Sequence, residues 1–293
     1  MRVGVTTIFD GRPGHRREYV EEVARTAERL GFATLWAPEH IAFFDDYSSR
    51  YPHSEDGTFG FLPDQGCLDA LTVLSVAASV TSTIRLGTTV ELVPMRNPLV
   101  RARELASFDV LSGGRLVYGV GVGWMREEYD AAGVPFGERG RITDEHLAAM
   151  RALWTERRAS HAGPRLRFEG VICFPKPVQQ PHPPILVGGI TRPALRRAAR
   201  LGDGWYGWKL TVEELDERLT VLDEELAAAG RSREGFRVQL GGPHAIGEVE
   251  SIRRYLAALE ERGVEEYTLG VSLPPDQVEE RLTAWAEALG LRP

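Results

Sequence analysis

The sequence has few cysteines, no long apolar run and no concentration of positive charge. Cys67 and Cys173 are the two cysteines, and they lie far apart without forming a CxxC pair. Their scarcity argues against a disulfide framework or a thiolate metal site and predicts a reducing, cytoplasmic location. No stretch approaches about 18 uninterrupted apolar residues, so we expect no membrane span.

The balance of charge and the absence of several motifs exclude further function classes. The 35 basic and 42 acidic residues are interspersed and give a formal net charge of −7, so no basic stripe is present to attract nucleic acid. The first residues form an apolar, strand-like run without the features of a signal peptide. No HExxH or other carboxylate–histidine cluster predicts a metal site, and no GxSxG supports a serine hydrolase.

What the sequence does have is an alternation of short apolar runs and helical segments. The runs are almost continuously hydrophobic, which is typical of parallel strands buried on both faces. We predict eight strands: Val3–Ile8, Ala33–Trp36, Ile84–Val90, Leu116–Val122, Ile185–Val187, Trp205–Trp208, Arg237–Leu240 and Glu266–Val271. A helix is predicted after each strand. Eight such repeats without a linker favour a single (β/α)8 barrel domain over residues 1–293 rather than a doubly wound sheet.

Local signals support two of these helices, and two long insertions interrupt the pattern. Thr211 and Glu214 fit a capping box, and Asn97-Pro98 is typical of a helix start. One insertion, about residues 38–68, follows the second strand, and the other, about residues 158–184, precedes the fifth. Insertions of this length in a compact domain are usually functional loops. Within the second, Arg165–Phe174 could form a hairpin.

Glycines are concentrated at two predicted strand ends. Gly119, Gly121 and Gly123 close the fourth strand, and this pattern is not GxGxxG. Either a flat ligand approaches the backbone there or the strand bulges in a tapering barrel. Gly188-Gly189 closes the fifth strand before Thr191 and a helix start. That turn is either a phosphate site or an ordinary strand-to-helix connection.

Titratable and aromatic residues mark the same predicted rim. Glu39-His40 ends the second strand, where an imidazole is a candidate for proton transfer or ring positioning. At the end of the sixth strand, Trp205, Tyr206 and Trp208 could wall an apolar pocket, with core packing as the alternative.

Seven segments in order carry a resemblance to a known family. They are Ala27–Trp36, Ile84–Val90, Asn97-Pro98, Leu111–Leu116, Gly119–Glu128, Pro175–Gln180 and Pro184–Gly189. In this order and spacing they resemble the luciferase-like monooxygenase superfamily, and more narrowly its branch that depends on the deazaflavin coenzyme F420. The resemblance covers nearly the whole chain.

The resemblance implies a bacterial-luciferase-like barrel that holds F420, or alternatively FMN, at the carboxyl ends of its strands. It implies a non-prolyl cis peptide at Thr89-Val90 beneath the ring, Val122 and Gly123 along the ring edge, and a histidine, His40, near the reactive centre. The cofactor phosphate would be held by residues of one turn: Gly188, Gly189 and Thr191. Relatives commonly form homodimers through exterior helices, and a separate reductase that supplies reduced cofactor is a further candidate partner.

One departure from the family pattern bears on the reaction. Some F420-dependent dehydrogenases carry a glutamate acid directly after the glycine strand end, where this chain has Trp124. A proton must therefore come from His40, Glu39, a loop residue or solvent.

We expect an oxidoreductase that transfers a hydride between reduced F420 and a small organic substrate. The 38–68 insertion would cover that substrate through aromatic and basic side chains: Phe43, Phe44, Tyr47, Arg50 and Tyr51. Trp124, Trp205 and Trp208 would complete the pocket. The alternatives are an FMN-dependent monooxygenase that uses O2, and a flavin-binding relative without catalytic activity.

Overall fold

A closed barrel of eight parallel strands forms the centre of the molecule. The computed structural model describes residues 1–9, 16–60, 66–244 and 249–292. Within these ranges the strands are β1 Arg2–Thr6, β2 Thr34–Ala37, β3 Arg85–Thr88, β4 Glu91–Leu92, β5 Leu116–Gly121, β6 Ala159–Ala162, β7 Arg167–Val171, β8 Ile185–Gly188, β9 Gly204–Trp208, β10 Arg237–Pro243 and β11 Glu266–Gly270. The barrel order is β3-β2-β1-β11-β10-β9-β8-β5, and β3 pairs with β5 to close it. The predicted (β/α)8 barrel is therefore confirmed.

All eight predicted strands are present, and the end of the third strand differs from the prediction. The third strand was expected to reach Val90, but β3 ends at Thr88. The chain then leaves the sheet and returns as the two-residue strand β4, which pairs with β5 beside Val120 and Gly121. The segment between β3 and β4 is thus a bulge in the barrel wall at the carboxyl end of the strands.

Helices surround the barrel and bury their apolar stripes against it. The helices of the described ranges are α1 Arg17–Arg29, α2 Ala70–Val80, α3 Pro98–Ser112, α4 Arg126–Ala131, α5 Arg139–Thr155, α6 Arg192–Leu201, α7 Val212–Ala228, α8 Val249–Glu261 and α9 Val278–Leu289. The capping box of α7 is confirmed, since the Glu214 amide donates to Thr211 at 3.2 Å and the Thr211 amide donates to Glu214 at 2.8 Å. Asn97 caps α3 through the amides of Leu99 and Val100. None of the helices in these ranges is long and apolar enough to cross a membrane.

Aromatic rings fill the interior of the barrel. Trp36, Tyr206 and Trp208 point inward, and the ring centroids of Trp36 and Tyr206 are 5.3 Å apart. Close packing requires glycine at Gly87, where a Cβ would lie 2.3 Å from the Trp36 ring. Beneath these rings, Trp36 Nε1 donates to the buried carboxylate of Glu266 at 3.2 Å. The interior is a packed core rather than a channel, so the site must lie at one end of it.

The insertion before β8 contains a hairpin, but its position differs from the prediction. The strands β6 and β7 pair antiparallel with Ala162 opposite Arg167. The hairpin thus begins at Ala159, before the predicted start at Arg165, because the chain turns over residues 163–166, where the Gly163 amide donates to the Leu166 carbonyl at 2.9 Å. Of the insertion after β2, residues 61–65 lie outside the described ranges.

Candidate active site

The predicted site residues converge on the carboxyl-end rim of the barrel. His40 follows β2, Thr89-Val90 follows β3, Val122-Gly123 follows β5, and Gly188–Thr191 closes β8. They meet there because parallel strands all end on the same rim. The rim is where the chain combines titratable groups, free backbone amides and an aromatic surface.

His40 is held by a carboxylate that the sequence analysis did not select. Its Nδ1 lies 3.2 Å from Oε2 of Glu128, on the first turn of α4. Oε1 of Glu128 accepts hydrogen bonds from the backbone amides of Ile41 at 2.7 Å and Ala42 at 3.3 Å. The Glu128 side chain is 1% exposed and that of His40 is 14% exposed. The imidazole is therefore fixed at one nitrogen while part of the ring remains accessible.

Aromatic rings enclose the His40 imidazole on several sides. We call this set the aromatic cover; its members are Phe43, Tyr47, Tyr51, Phe59 and Trp124. Ring centroids of Phe43, Phe59 and Trp124 lie 4.9, 5.0 and 6.0 Å from that of His40. Tyr47 and Tyr51 pack edge-on against Trp124 at 5.9 and 5.3 Å. The cover limits the access of water to His40.

A second glutamate anchors the far end of the same loop. Oε1 of Glu127 accepts the Ser48 amide at 2.7 Å, the Ser48 hydroxyl at 3.0 Å and the Ser49 amide at 3.3 Å. Burial opposes ionisation of Glu127, but these hydrogen bonds outweigh it and lower the pKa to about 2. The Arg126 amide donates in turn to Ser49 Oγ at 2.9 Å. The first turn of α4 thus binds both the start and the end of the segment 40–49.

Glu39, grouped with His40 at the sequence level, lies in a buried ion pair instead of facing the imidazole. Its carboxylate accepts from Arg96 at 2.6 and 3.1 Å and from the Leu92 amide at 2.9 Å. Burial and the nearby charge of Glu91 raise the pKa of Glu39 to about 7, although Arg96 acts in the opposite direction. The structure therefore places Glu39 against the start of α3 and the bulge.

Glu91 continues this buried network on the other side of the bulge. Its carboxylate binds the Arg101 guanidinium and accepts the Tyr118 hydroxyl at 2.7 Å. Burial and the Glu91 charge together hold the pKa of Tyr118 well above its usual value. Since Glu91 follows Val90 directly, the two ion pairs clamp the segment that leaves β3.

The Thr89-Val90 peptide bond is cis, as the resemblance implied. The glycines of β5 accommodate this segment. A Cβ at Gly119 would lie 1.9 Å from the Thr88 carbonyl oxygen, and one at Gly121 would lie 2.4 Å from Val90 Cγ2. The space beside Gly119 and Gly121 is thus occupied by the segment that follows β3, an arrangement that neither interpretation of the glycine cluster anticipated.

The turn after β8 presents backbone donors to the rim. Gly189 has φ +116°, which L side chains rarely adopt, and its amide donates to Tyr206 O at 3.3 Å. Thr191 precedes α6, and its side chain makes no capping hydrogen bond. No carbonyl of the described residues accepts from the Ile190 or Thr191 amide. Arg192 is engaged elsewhere, by Glu224 and Glu225.

Two predicted pocket residues are engaged elsewhere. Trp205 is fully buried between the strands and the helices, and its Nε1 donates to Gly189 O at 2.7 Å. Side chains alternate along a strand, so Trp208 lies on the inner face and Trp205 on the outer one. Arg50 is exposed and donates to the carbonyl of Glu55 at 3.4 Å, so it braces the loop itself.

Val122 and Gly123 extend the rim beyond β5. The Val122 carbonyl accepts the Tyr129 hydroxyl at 2.5 Å, and the Gly123 carbonyl accepts from Arg139 at 3.3 Å. Gly123 has φ +68°. In the part of the chain that the structure describes, no group of three or more His, Cys, Asp or Glu side chains could hold a metal ion.

Sequence reasoning missed Glu127, Glu128 and Phe59. The two glutamates were part of the segment that carried the resemblance, but nothing in it shows that they reach a loop some 80 residues earlier in the chain. A usable signal was present: consecutive acidic residues in a short helix directly after a strand end lie on the same rim as His40.

Comparisons with known proteins agree with this geometry. The sequence profile of the family described as luciferase-like monooxygenase matches residues 1–290. The uncharacterized protein Rv0953c of Mycobacterium tuberculosis is 36% identical over 274 residues, 92% of each chain. The FMNH2-dependent dimethylsulfone monooxygenase of Pseudomonas putida is 28% identical over 231 residues, 78% of this chain and 59% of that protein. An F420-dependent secondary alcohol dehydrogenase, solved with an F420–acetone adduct, shares the fold with a TM-score of 0.77 at 16% identity, covering 98% of both chains.

Proposed function

The chain belongs to the luciferase-like monooxygenase family, and on that premise we propose that it is an oxidoreductase that uses reduced F420 for hydride transfer with a small organic substrate. Relatives of known cofactor use either F420 or FMN. The observation that carries the proposal is His40, ordered by a buried carboxylate, on the same rim as the Thr89-Val90 bulge and the Gly188–Thr191 turn.

The rim residues fit a flat cofactor that carries a phosphate. Thr89 and Val90 offer a raised piece of backbone for the ring, and Val122 and Gly123 border it. At the other end, the Ile190 and Thr191 amides precede a helix whose dipole favours an anion. Because Arg192 is already paired, the phosphate would be held by the Ile190 and Thr191 amides and the Thr191 hydroxyl, while Gly188 and Gly189, which have no side chains, would let it approach the backbone.

The residues around the ring would control protons and water. When bound, reduced F420 supplies a hydride, whereas reduced FMN supplies electrons for the reduction of O2. At Nε2, His40 would exchange a proton with the oxygen of the substrate, accepting it when an alcohol is oxidised and returning it when a carbonyl is reduced. The aromatic cover and Trp208 would exclude water from the substrate. Glu39, committed to Arg96, would support the bulge rather than transfer a proton.

Titration with both cofactors tests the choice between them. We expect the purified protein to bind F420 and not FMN, measured by fluorescence of each cofactor and repeated in reduced form with and without O2. FMN binding together with O2-dependent turnover would replace the proposal by the monooxygenase alternative. Bound cofactor without turnover of any substrate in a panel of alcohols and carbonyl compounds would support the non-catalytic alternative.

Two variants test the site itself. Gly189→Ala places a Cβ 3.0 Å from Ala194 at a positive φ, so we expect weaker cofactor binding. Gly170→Ala introduces a similar backbone strain in the β6–β7 hairpin, at φ +64° with open space around it, and should leave affinity unchanged. His40→Ala should lower turnover without changing the circular dichroism spectrum. Full activity of that variant would exclude His40 from the reaction.

We further propose that the chain forms a homodimer and receives reduced cofactor from a separate reductase. An apolar groove of about 470 Å3 runs between α2 and α3, lined in part by Leu71 and Phe108. Leu111 stands 85% exposed at its edge. A two-fold contact would bring each Leu111 to the groove of the other copy. Light scattering should show a dimer that Leu111→Glu dissociates and Ile172→Glu, an exposed position in the other insertion, does not.

A further inference from the structure

The buried carboxylate of Glu128 lies where charge is costly, and no lysine or arginine of the described residues pairs with it. A buried charge without such a partner needs hydrogen-bond donors. Glu128 has three: the imidazole Nδ1 of His40 and the backbone amides of Ile41 and Ala42. All three donors belong to consecutive residues, so one carboxylate anchors the start of the loop that follows β2.

The chemistry of this contact determines which nitrogen of His40 carries the proton. An ionised carboxylate can only accept hydrogen bonds. Nδ1 of His40 must therefore donate, and the neutral ring then has its lone pair at Nε2. None of the described residues forms a hydrogen bond with Nε2. That nitrogen is left for a reacting group.

The neighbouring carboxylate provides an internal comparison. Glu127 binds Ser48 and Ser49 at the other end of the same loop, whereas the hydrogen bond of His40 Nδ1 goes to Glu128. Both glutamates lie on the first turn of α4, and both hold backbone amides of the loop. Only Glu128 also binds the imidazole, so the two roles, anchoring the loop and orienting the ring, can be separated experimentally.

We infer that Glu128 is a positioning residue that fixes His40 in its Nδ1–H tautomer and thereby presents Nε2 as the proton acceptor of the site. The inference rests on the proposed function for the identity of the reaction. Its structural content, the tautomer and its cause, stands without any cofactor. Because the same carboxylate holds the Ile41 and Ala42 amides, the ring is oriented only while the start of the loop is seated.

Nitrogen-15 NMR of the histidine side chains tests the tautomer directly. His40→Ala assigns the resonances of His40, and spectra at a pH where the ring is neutral show which nitrogen carries the proton. We expect Nδ1–H in the wild type. In Glu128→Gln, the amide oxygen can still accept from Ile41 and Ala42 while its NH2 group donates to Nδ1, so the proton should move to Nε2. Glu127→Gln should keep the wild-type tautomer.

Three outcomes would overturn the inference: Nε2–H in the wild type, an unchanged tautomer in Glu128→Gln, or the same switch in Glu127→Gln. Should Glu128→Gln fail to fold, the wild-type spectrum alone still decides, since the inference requires Nδ1–H. Amide exchange adds an independent readout. Glu128→Ala should speed exchange at Ile41 and Ala42 by about tenfold, as expected for loss of one hydrogen bond to a charged group. Equal exchange in both proteins would remove the anchoring role.

Failure of this inference and failure of the proposed function are distinguishable. A correct tautomer with no cofactor binding would leave the positioning role intact and remove the oxidoreductase proposal. Once turnover is established, the Nε2–H tautomer of Glu128→Gln should lower kcat at least tenfold, with KM within about twofold of the wild type. A rise in the activation barrier of about the free energy of one hydrogen bond lowers the rate about tenfold. A KM effect alone would instead indicate a role in seating the loop.

Discussion

Substitution of Gly121 by alanine tests whether the glycines of β5 exist to house the bulge. The added Cβ would lie 2.4 Å from Val90 Cγ2, a distance at which a side chain must shift. Overpacking of this kind costs about 1–3 kcal/mol. Taking about 2 kcal/mol, the ratio of unfolded to folded protein should rise by roughly 30-fold.

The clash is with a side chain, so a second substitution should relieve it. Val90→Ala alone removes two carbon atoms from a half-buried position and should cost about 1 kcal/mol. Once position 90 is alanine, the nearest atom to the new Cβ at position 121 is the Cβ of residue 90, at 3.4 Å, which is an ordinary contact. In that background Gly121→Ala should cost under about 0.5 kcal/mol, which corresponds to a coupling of roughly 1.5 kcal/mol.

Gly119 provides the matched control because its neighbour is backbone. A Cβ there would lie 1.9 Å from the Thr88 carbonyl oxygen, which no side-chain truncation can move. Gly119→Ala should therefore cost more than Gly121→Ala, and Val90→Ala should not rescue it. Urea unfolding of the cofactor-free protein measures all five variants. Equal penalties for Gly121→Ala in the two backgrounds, or a loss of cofactor affinity without a loss of stability, would refute the reasoning.

Two further predictions follow from buried contacts. The pKa of Glu39 is raised to about 7, above its unfolded value of about 4.3. The stability that this group contributes is therefore present below about pH 4 and is lost as the pH rises to 7. Urea unfolding at several pH values should show this decline in the wild type and not in Glu39→Gln, and parallel curves for the two proteins would contradict the prediction. Trp205→Phe removes the 2.7 Å hydrogen bond to Gly189 O and should weaken cofactor binding while costing about 1 kcal/mol of stability. Unchanged cofactor affinity would show that Trp205 does not support binding through the turn after β8.

The strands and the rim could be predicted because their signals are local. Continuous apolar runs such as Leu116–Gly121 mark strands buried on both faces, and topology alone then brings His40 and Gly188 to one rim. Trp205 was assigned to the pocket but lies on the outer face of β9. The face of a strand residue depends on register, because a shift of one residue turns a side chain from the barrel interior to the helix layer. Composition does not contain that information.

The partners of the two glutamates at residues 39 and 128 could not be predicted for a different reason. Both are acidic residues near the rim, but one binds Arg96 and the other His40. Which carboxylate meets the imidazole depends on where the short helix α4 returns over the loop. That is a contact between segments separated by 88 positions, and no periodicity encodes it.

The aromatic plug formed by Trp36, Tyr206 and Trp208 has a kinetic consequence. A barrel closed from below by these rings has one mouth, and everything that enters or leaves must share it. Under the proposed function, the cofactor would lie on the rim beneath the substrate and could not leave before it. We therefore expect sequential binding, with the cofactor bound first and released last.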